Sequence, residues 1–173
     1  APIGPPHPPV TVLATAQDTQ VSLSWSASPG TSTYTVYHSP TSPVTVLSGT
    51  AISGLAVTNT LVTGLTNNVP YYFIVTGTNG YGEGNPSGEI TSTPIPPPGP
   101  PAGVGAAAGD AEALISWTAT ATATSYMAYC GTAPGVTIGS GTPSGPYTGT
   151  SGTVSDLTNG IVHYFIVTAI NSA

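Results

Sequence analysis

A chain of 173 residues and 17.1 kDa carrying 22 glycines and 19 prolines is built of unusually small residues, about 99 Da each. It has no lysine or arginine, only six acidic residues, and a formal net charge of −6. Without cations it cannot neutralise phosphates, which excludes a nucleic-acid interface, a Walker lysine, an arginine finger and attraction to an anionic membrane. A proline-rich arm, Ala1–Pro9, opens the chain. Val21, Leu23 and Trp25 then alternate with Ser22 and Ser24, the period of a half-buried strand. Tyr34, Val36 and His38 alternate with Thr35 and Tyr37, and Tyr71, Phe73 and Val75 with Tyr72, Ile74 and Thr76. Asn79-Gly80 follows at once, a strong hairpin signal. Thr93-Pro94-Ile95-Pro96-Pro97-Pro98-Gly99-Pro100-Pro101 favours polyproline II and reads as a semi-rigid spacer, with a ligand for proline-binding modules as the alternative.

Beyond this spacer the pattern starts again. Trp25 and Trp117 are 92 apart, as are Tyr34 and Tyr126, Tyr37 and Tyr129, Asp18 and Asp110, and Asn79 and Asn171. Leu65–Thr76 answers Leu157–Thr168 in the same register without a gap. A single offset held across a whole domain means two tandem copies of one unit. The fraction of apolar residues, 39%, and a mean hydropathy of +0.19 exclude a disordered chain despite the proline and glycine. No apolar run reaches the roughly 18 residues of a membrane helix. No segment keeps a helical period over three turns, so short strands with regular turn signals point to an all-β protein of two sandwiches. The start at Ala1 rather than Met fits a processed or excised segment.

The chain resembles tandem fibronectin type III domains of the bacterial extracellular kind. The likeness rests on the proline pair Pro8-Pro9, Val12-x-Ala14, Leu23-x-Trp25, Tyr34-x-Val36, Leu65-x5-Tyr71-x-Phe73-x-Val75-x3-Asn79 and Pro86-Ser87. It implies Ig-like sandwiches in which Trp25 and Trp117 anchor the cores, with Tyr34 and Tyr126 beside them. It also implies that Tyr71 closes a tyrosine corner on nearby backbone. His163 replaces that tyrosine in the second copy, where the lock must be weaker or bonded differently. The expected organisation is a first domain over 1–93, a linker over 94–101 and a second domain over 102–173. The second copy lacks its last strand: Gly88–Thr93 would map to 180–185. Either the polypeptide continues or another chain supplies the strand.

The polar residues form no catalytic constellation. Asp18 and Asp110 fall in the same tight turn, and Glu83 and Glu89 flank a hairpin, where carboxylates are ordinarily solvated. His7, His38 and His163 have no metal-ligand spacing. His163 reads as a satisfied core histidine, and Cys130 as a buried, inert thiol or an intermolecular one. No cofactor is expected, and the chain is not read as an enzyme. In the family fold, Tyr37, Tyr72 and Ile74 point away from the core on one sheet, as do Met127, Tyr129, Tyr164 and Ile166 in the second copy. That face is either a contact surface or a set of solvated cross-strand pairs. The expected partners are other protein chains, copies of itself, further domains, or a polysaccharide. The expected role is structural or adhesive, in a secreted or cell-surface protein or an extracellular filament. The alternative is an accessory spacer of a secreted polysaccharide-degrading enzyme.

Overall fold

A computed structural model describes residues 4–173; residues 1–3 of the proline-rich arm lie outside the described residues. The described chain is all-β, with no helix, and divides into two compact units between Pro96 and Pro97.

In unit 1, β1 (Val12–Gln17) pairs with β2 (Gln20–Trp25), which pairs with β5 (Asn59–Thr63), all antiparallel. The facing sheet runs β4 (Thr50–Leu55), β3 (Thr33–Ser39), β6 (Tyr71–Asn79). Two short strands share the outer edge of β6: β7 (Gly82–Glu83) and β8 (Ile90–Ser92). Alternation explains the core. Val21, Leu23 and Trp25 from one sheet meet Tyr34, Val36, Phe73 and Val75 from the other, and Phe73 is fully buried. Trp25 and Tyr34 pack edge to face with centroids 5.6 Å apart, a favoured aromatic geometry. The arm belongs to this unit. Pro6 and Pro9 are buried, and the Asn79 side-chain amide donates to Gly4 O (3.0 Å) and Gly30 O (3.1 Å). Gly84 lets the arm approach, because a Cβ there would collide with the backbone of Pro6. Pro94 is buried too, accepting from Asn68 N (2.8 Å), while Ile95 N donates to Gln17 O (3.2 Å).

Unit 2 repeats the plan element by element. One sheet is β9 (Gly105–Ala108), β10 (Ala113–Ser116) and β13 (Ser151–Val154); the other is β12 (Thr142–Tyr147), β11 (Ser125–Gly131) and β14 (Tyr164–Ile170). The offset of 92 survives at atomic detail. Trp25 N donates to Thr58 O and Trp117 N to Thr150 O, both at 2.9 Å. Tyr34 OH accepts from Ser28 N (2.8 Å) and Tyr126 OH from Thr120 N (2.9 Å). Asn67 Nδ2 donates to Asp18 Oδ1 and Asn159 Nδ2 to Asp110 Oδ1, each at 2.7 Å, clipping a turn to the loop that leads into β6 or β14. The clip steadies Thr19 and Ala111, both in the left-handed region (φ 55° and 54°), by accepting their N–H groups on the same asparagines. Among the described residues, unit 2 has no counterpart of β7 or β8, and β14 has a strand neighbour on one side only.

Candidate functional site

The face expected to be exposed divides between the units. In unit 1 it is largely covered: Tyr37 is 9% exposed and Ile74 4%, Thr76 is fully buried, and Tyr72 is half-buried. The expectation of an open contact face over Tyr37, Tyr72 and Ile74 is therefore corrected. The physical reason is the β3–β4 connection, which folds back so that Val44 joins Tyr37 and Ile74 in a second small apolar cluster. Gly49 makes the fold-back possible, since a Cβ there would lie 2.9 Å from Tyr37 Cβ and from Val44 Cγ2.

Two carboxylates fasten this roof. Glu83 accepts from Tyr37 OH (2.9 Å) and from the Thr76 hydroxyl. Glu89 accepts from Ser42 Oγ and Val44 N, each at 2.7 Å. They are hydrogen-bonded clamps rather than merely solvated hairpin residues. Desolvation, and then the bond to Glu83 and its charge, push the Tyr37 phenol above its ordinary pKa.

Unit 2 keeps the loop; the positions matching Glu83 and Glu89 would be 175 and 181, outside the given sequence. The loop again turns close over the tyrosine at a glycine, since a Cβ at Gly141 would lie 2.7 Å from Tyr129 Cβ and 2.8 Å from Val136 Cγ1. Met127, Tyr129 and Ile166 are half-buried, and Tyr164 is 38% exposed. The open part of the face is thus Tyr164 with the flanks of Met127 and Ile166. Ile161 and Val162, which the sequence reading did not single out, add apolar surface in the turn before β14.

The core anchors stand as follows. Trp25 (6% exposed), Trp117 (5%), Tyr34 and Tyr126 are buried, and both indole Nε1 atoms lie buried without a hydrogen-bond partner among the described residues. Tyr71 is half-buried against the core, and its OH accepts from Thr66 N (3.2 Å), closing the corner. His163 is corrected: it lies outside the buried core, half-exposed, with Nδ1 donating to Ile161 O (3.0 Å). The imidazole is too short to reach the backbone that a tyrosine reaches, so it bonds within its own turn. Its neighbour changes as well. His38, lowered in pKa by burial, stacks near Tyr71 and Phe73 at 6.3 and 6.2 Å, whereas Cys130 takes its place in unit 2. Cys130 is buried and unbridged, with its pKa raised by desolvation. Beside these two residues lies an open groove of about 840 Å³, bordered by Cys130, Pro134, Val136, Leu157 and His163. Its lining includes one carboxylate, Asp156. Among the described residues no three His, Cys, Asp or Glu side chains gather as a metal site, and no helix is long and apolar enough to cross a membrane.

The sequence reading missed the asparagine partners of Asp18 and Asp110, the two glutamate clamps, and the glycines beneath the folded-back loop. The first and the last had a signal, since both members of the Asp–Asn pair and the glycines Gly49 and Gly141 recur at the offset.

Residues 4–93, just over half the chain, match the fibronectin type III domain family. No curated protein matches the chain. Among solved structures it is similar to chicken CNTN1 domains FN1–FN3 at TM-score 0.71 and 16% identity, over 98% of this chain and 64% of that one. It thus spans less than two thirds of that relative, and the likeness shows the fold alone. A Fn3-like protein from Clostridium thermocellum is 27% identical over 50% of this chain and 90% of its own, at TM-score 0.46. Another, titled FN3tt mut, is 25% identical over 51% and 94%, at TM-score 0.44. Such domains are generally non-catalytic structural or adhesive modules. The chain belongs to the fibronectin type III family.

Proposed function

We propose that the chain is a non-catalytic structural module of a secreted or cell-surface protein, in which unit 1 is a closed spacer and unit 2 contacts other protein chains, copies of itself included. One observation carries this reading: the same sheet face is covered and clamped in unit 1 and open around Tyr164 in unit 2. Near-absence of charge supports it, because few ions must be desolvated when such surfaces meet. A filament or surface layer is the assembly such a module would build. A polysaccharide-contacting accessory role is less well supported, because sugar stacking wants a row of exposed rings and Tyr37 is covered.

Sedimentation velocity over a concentration series tests the reading. Tyr164→Ser combined with Met127→Ser is expected to weaken self-association about tenfold, as loss of a central aromatic contact does. Tyr72→Ser, the control in unit 1, should leave association unchanged. Equal association of all three proteins, each shown folded by circular dichroism, would remove the contact role.

A further inference from the structure

The outer strands β4 and β12 are one element in two copies: Ala51 lies opposite Tyr37, and Pro143, 92 residues on, lies opposite Tyr129. Which backbone groups of β4 face outward follows from the far side of the sheet. Val75 N donates to Ser87 Oγ (3.0 Å) and Val75 O accepts from Ser87 N (2.9 Å), on the side of β6 away from β3. Val75 lies opposite Val36. Antiparallel neighbours alternate between pairs that exchange hydrogen bonds and pairs that do not. Val36 therefore turns its groups to β4, and Ile52, opposite it, turns its own back to β3. Ala51 and Ser53, on either side of Ile52, direct theirs out of the sheet, toward no strand among the described residues, and both are exposed.

Unit 2 blunts the same edge. Pro143 has no N–H to offer at the outward position, and Pro146 follows three residues later, a common protection of edge strands. In β4 these places hold Ala51 and Gly54, and the strand Thr50–Leu55 carries neither proline nor charge. No acidic residue lies between Asp18 and Glu83, and the chain has no basic one. Two copies, each of net charge −6, can therefore bring this edge together without setting like charges opposite each other. The bulge between Ile52 and Leu55, with Gly54 at φ 75°, ends the regular run, so the edge on offer is short.

We propose that the β4 edge is a self-pairing site, occupied by β4 of a second copy lying antiparallel to it about a two-fold axis at Ile52. In that register Ala51 and Ser53 of one copy exchange backbone hydrogen bonds with Ser53 and Ala51 of the other. The half-buried Ile52 side chains, which pack on the core from the rim of the sandwich, meet across the axis. Unit 2 lacks this contact too, since Ser144 stands at the place of Ile52 and its hydroxyl is bonded to Tyr147 OH (2.6 Å). The inference goes beyond the contact around Tyr164: it concerns the sheet edge of unit 1, whose sheet face is closed.

The test is sedimentation velocity of the intact chain over a concentration series, with amide hydrogen exchange read at Ala51 and Ser53. Ala51→Pro copies the residue of unit 2 and removes two symmetry-related donors from the pair. It should weaken association about tenfold or more. Ala51→Ser keeps the amide and should associate like the parent. In the parent, exchange at Ala51 and Ser53 should slow as protein concentration rises, which reads the edge without any substitution. Association of Ala51→Pro equal to that of the parent, in a protein shown folded by circular dichroism, overturns the proposal. So does exchange at Ala51 that is independent of concentration. The two contacts fail separately: protection of Ala51 should persist in Tyr164→Ser with Met127→Ser, and its loss there would overturn an edge contact independent of unit 2.

Discussion

Unit 1 and unit 2 carry one fold and differ in what surrounds it among the described residues. Both bury a tryptophan against a tyrosine, both tie a turn with an Asp–Asn pair, and both fold a loop over a tyrosine beside a glycine. What differs is the periphery. Unit 1 adds β7 and β8, two glutamate clamps, the docked arm and the Tyr71 corner. Unit 2 has instead two grooves and a half-buried phenylalanine, Phe165, where Phe73 is fully enclosed. The central strands carry the same topology in both units, while edge strands and loops decide how much of each face is hidden.

Where unit 2 departs in the core, it compensates locally. Tyr147 stands at the position of Leu55 and Gly152 at that of Thr60. The ring of Tyr147 lies 5.8 Å from that of Trp117, and its OH donates to Thr153 O (2.8 Å). Any side chain at 152 would meet that ring, since a Cβ there would overlap it. The exchange is thus a paired change of large for small between strands of the two facing sheets.

The comparison breaks most visibly at the shared anchor. Trp25→Ala and Trp117→Ala should each cost about 3–5 kcal/mol, the range for large core truncations. A domain holds only about 5–15 kcal/mol in all, so urea titration should show one unit close to unfolded while the other retains its transition. A loss below about 1 kcal/mol at either site would mean that the two cores are not equivalent.

A smaller effect sharpens the contrast at the corner. Cys130→His with His163→Tyr transplants the lock of unit 1 into unit 2. One regained hydrogen bond and one aromatic contact should stabilise it by about 1–2 kcal/mol. For a domain of this size that raises Tm by about 4–8 °C per kcal/mol, readable by scanning calorimetry. Unchanged melting would show that these two side chains do not set the stability difference between the units.

The smallest effect is a pH dependence confined to unit 1. Burial holds His38 below its ordinary pKa of 6.5, so the fold prefers the neutral ring. The unfolded chain takes up a proton at higher pH than the folded one. Stability from this source is complete above about pH 6.5 and is lost as pH falls through the lowered folded value. Melting between pH 7.5 and 5 should show a steeper decline for the parent than for His38→Cys, which carries the residue found in unit 2. Parallel curves would contradict a buried neutral imidazole.

Much of this was legible in one dimension. Period-two alternation around Trp25, Tyr34 and Phe73, and a gapless offset of 92, were sufficient for an all-β tandem sandwich, because strand burial leaves a mark at every second residue. The second occurrence of each motif served as an internal control on the first. The tyrosine corner and the hairpin at Asn79 were equally local, depending on residues within a few positions of each other. The exposure of the outer face was not. Alternation assigns Tyr37 and Ile74 to the side away from the main core, but it cannot tell whether that side is solvent or a second layer. That was decided by Val44, Gly49, Glu83 and Glu89, which reach the face from other segments, Glu83 and Glu89 more than forty residues away in sequence. Likewise His163 shares the pattern position of a core tyrosine, yet its shorter ring bonds to Ile161 and stays half-exposed. Strand periodicity is written residue by residue along the chain, whereas cover over a sheet face depends on long-range contacts that only the folded arrangement brings together.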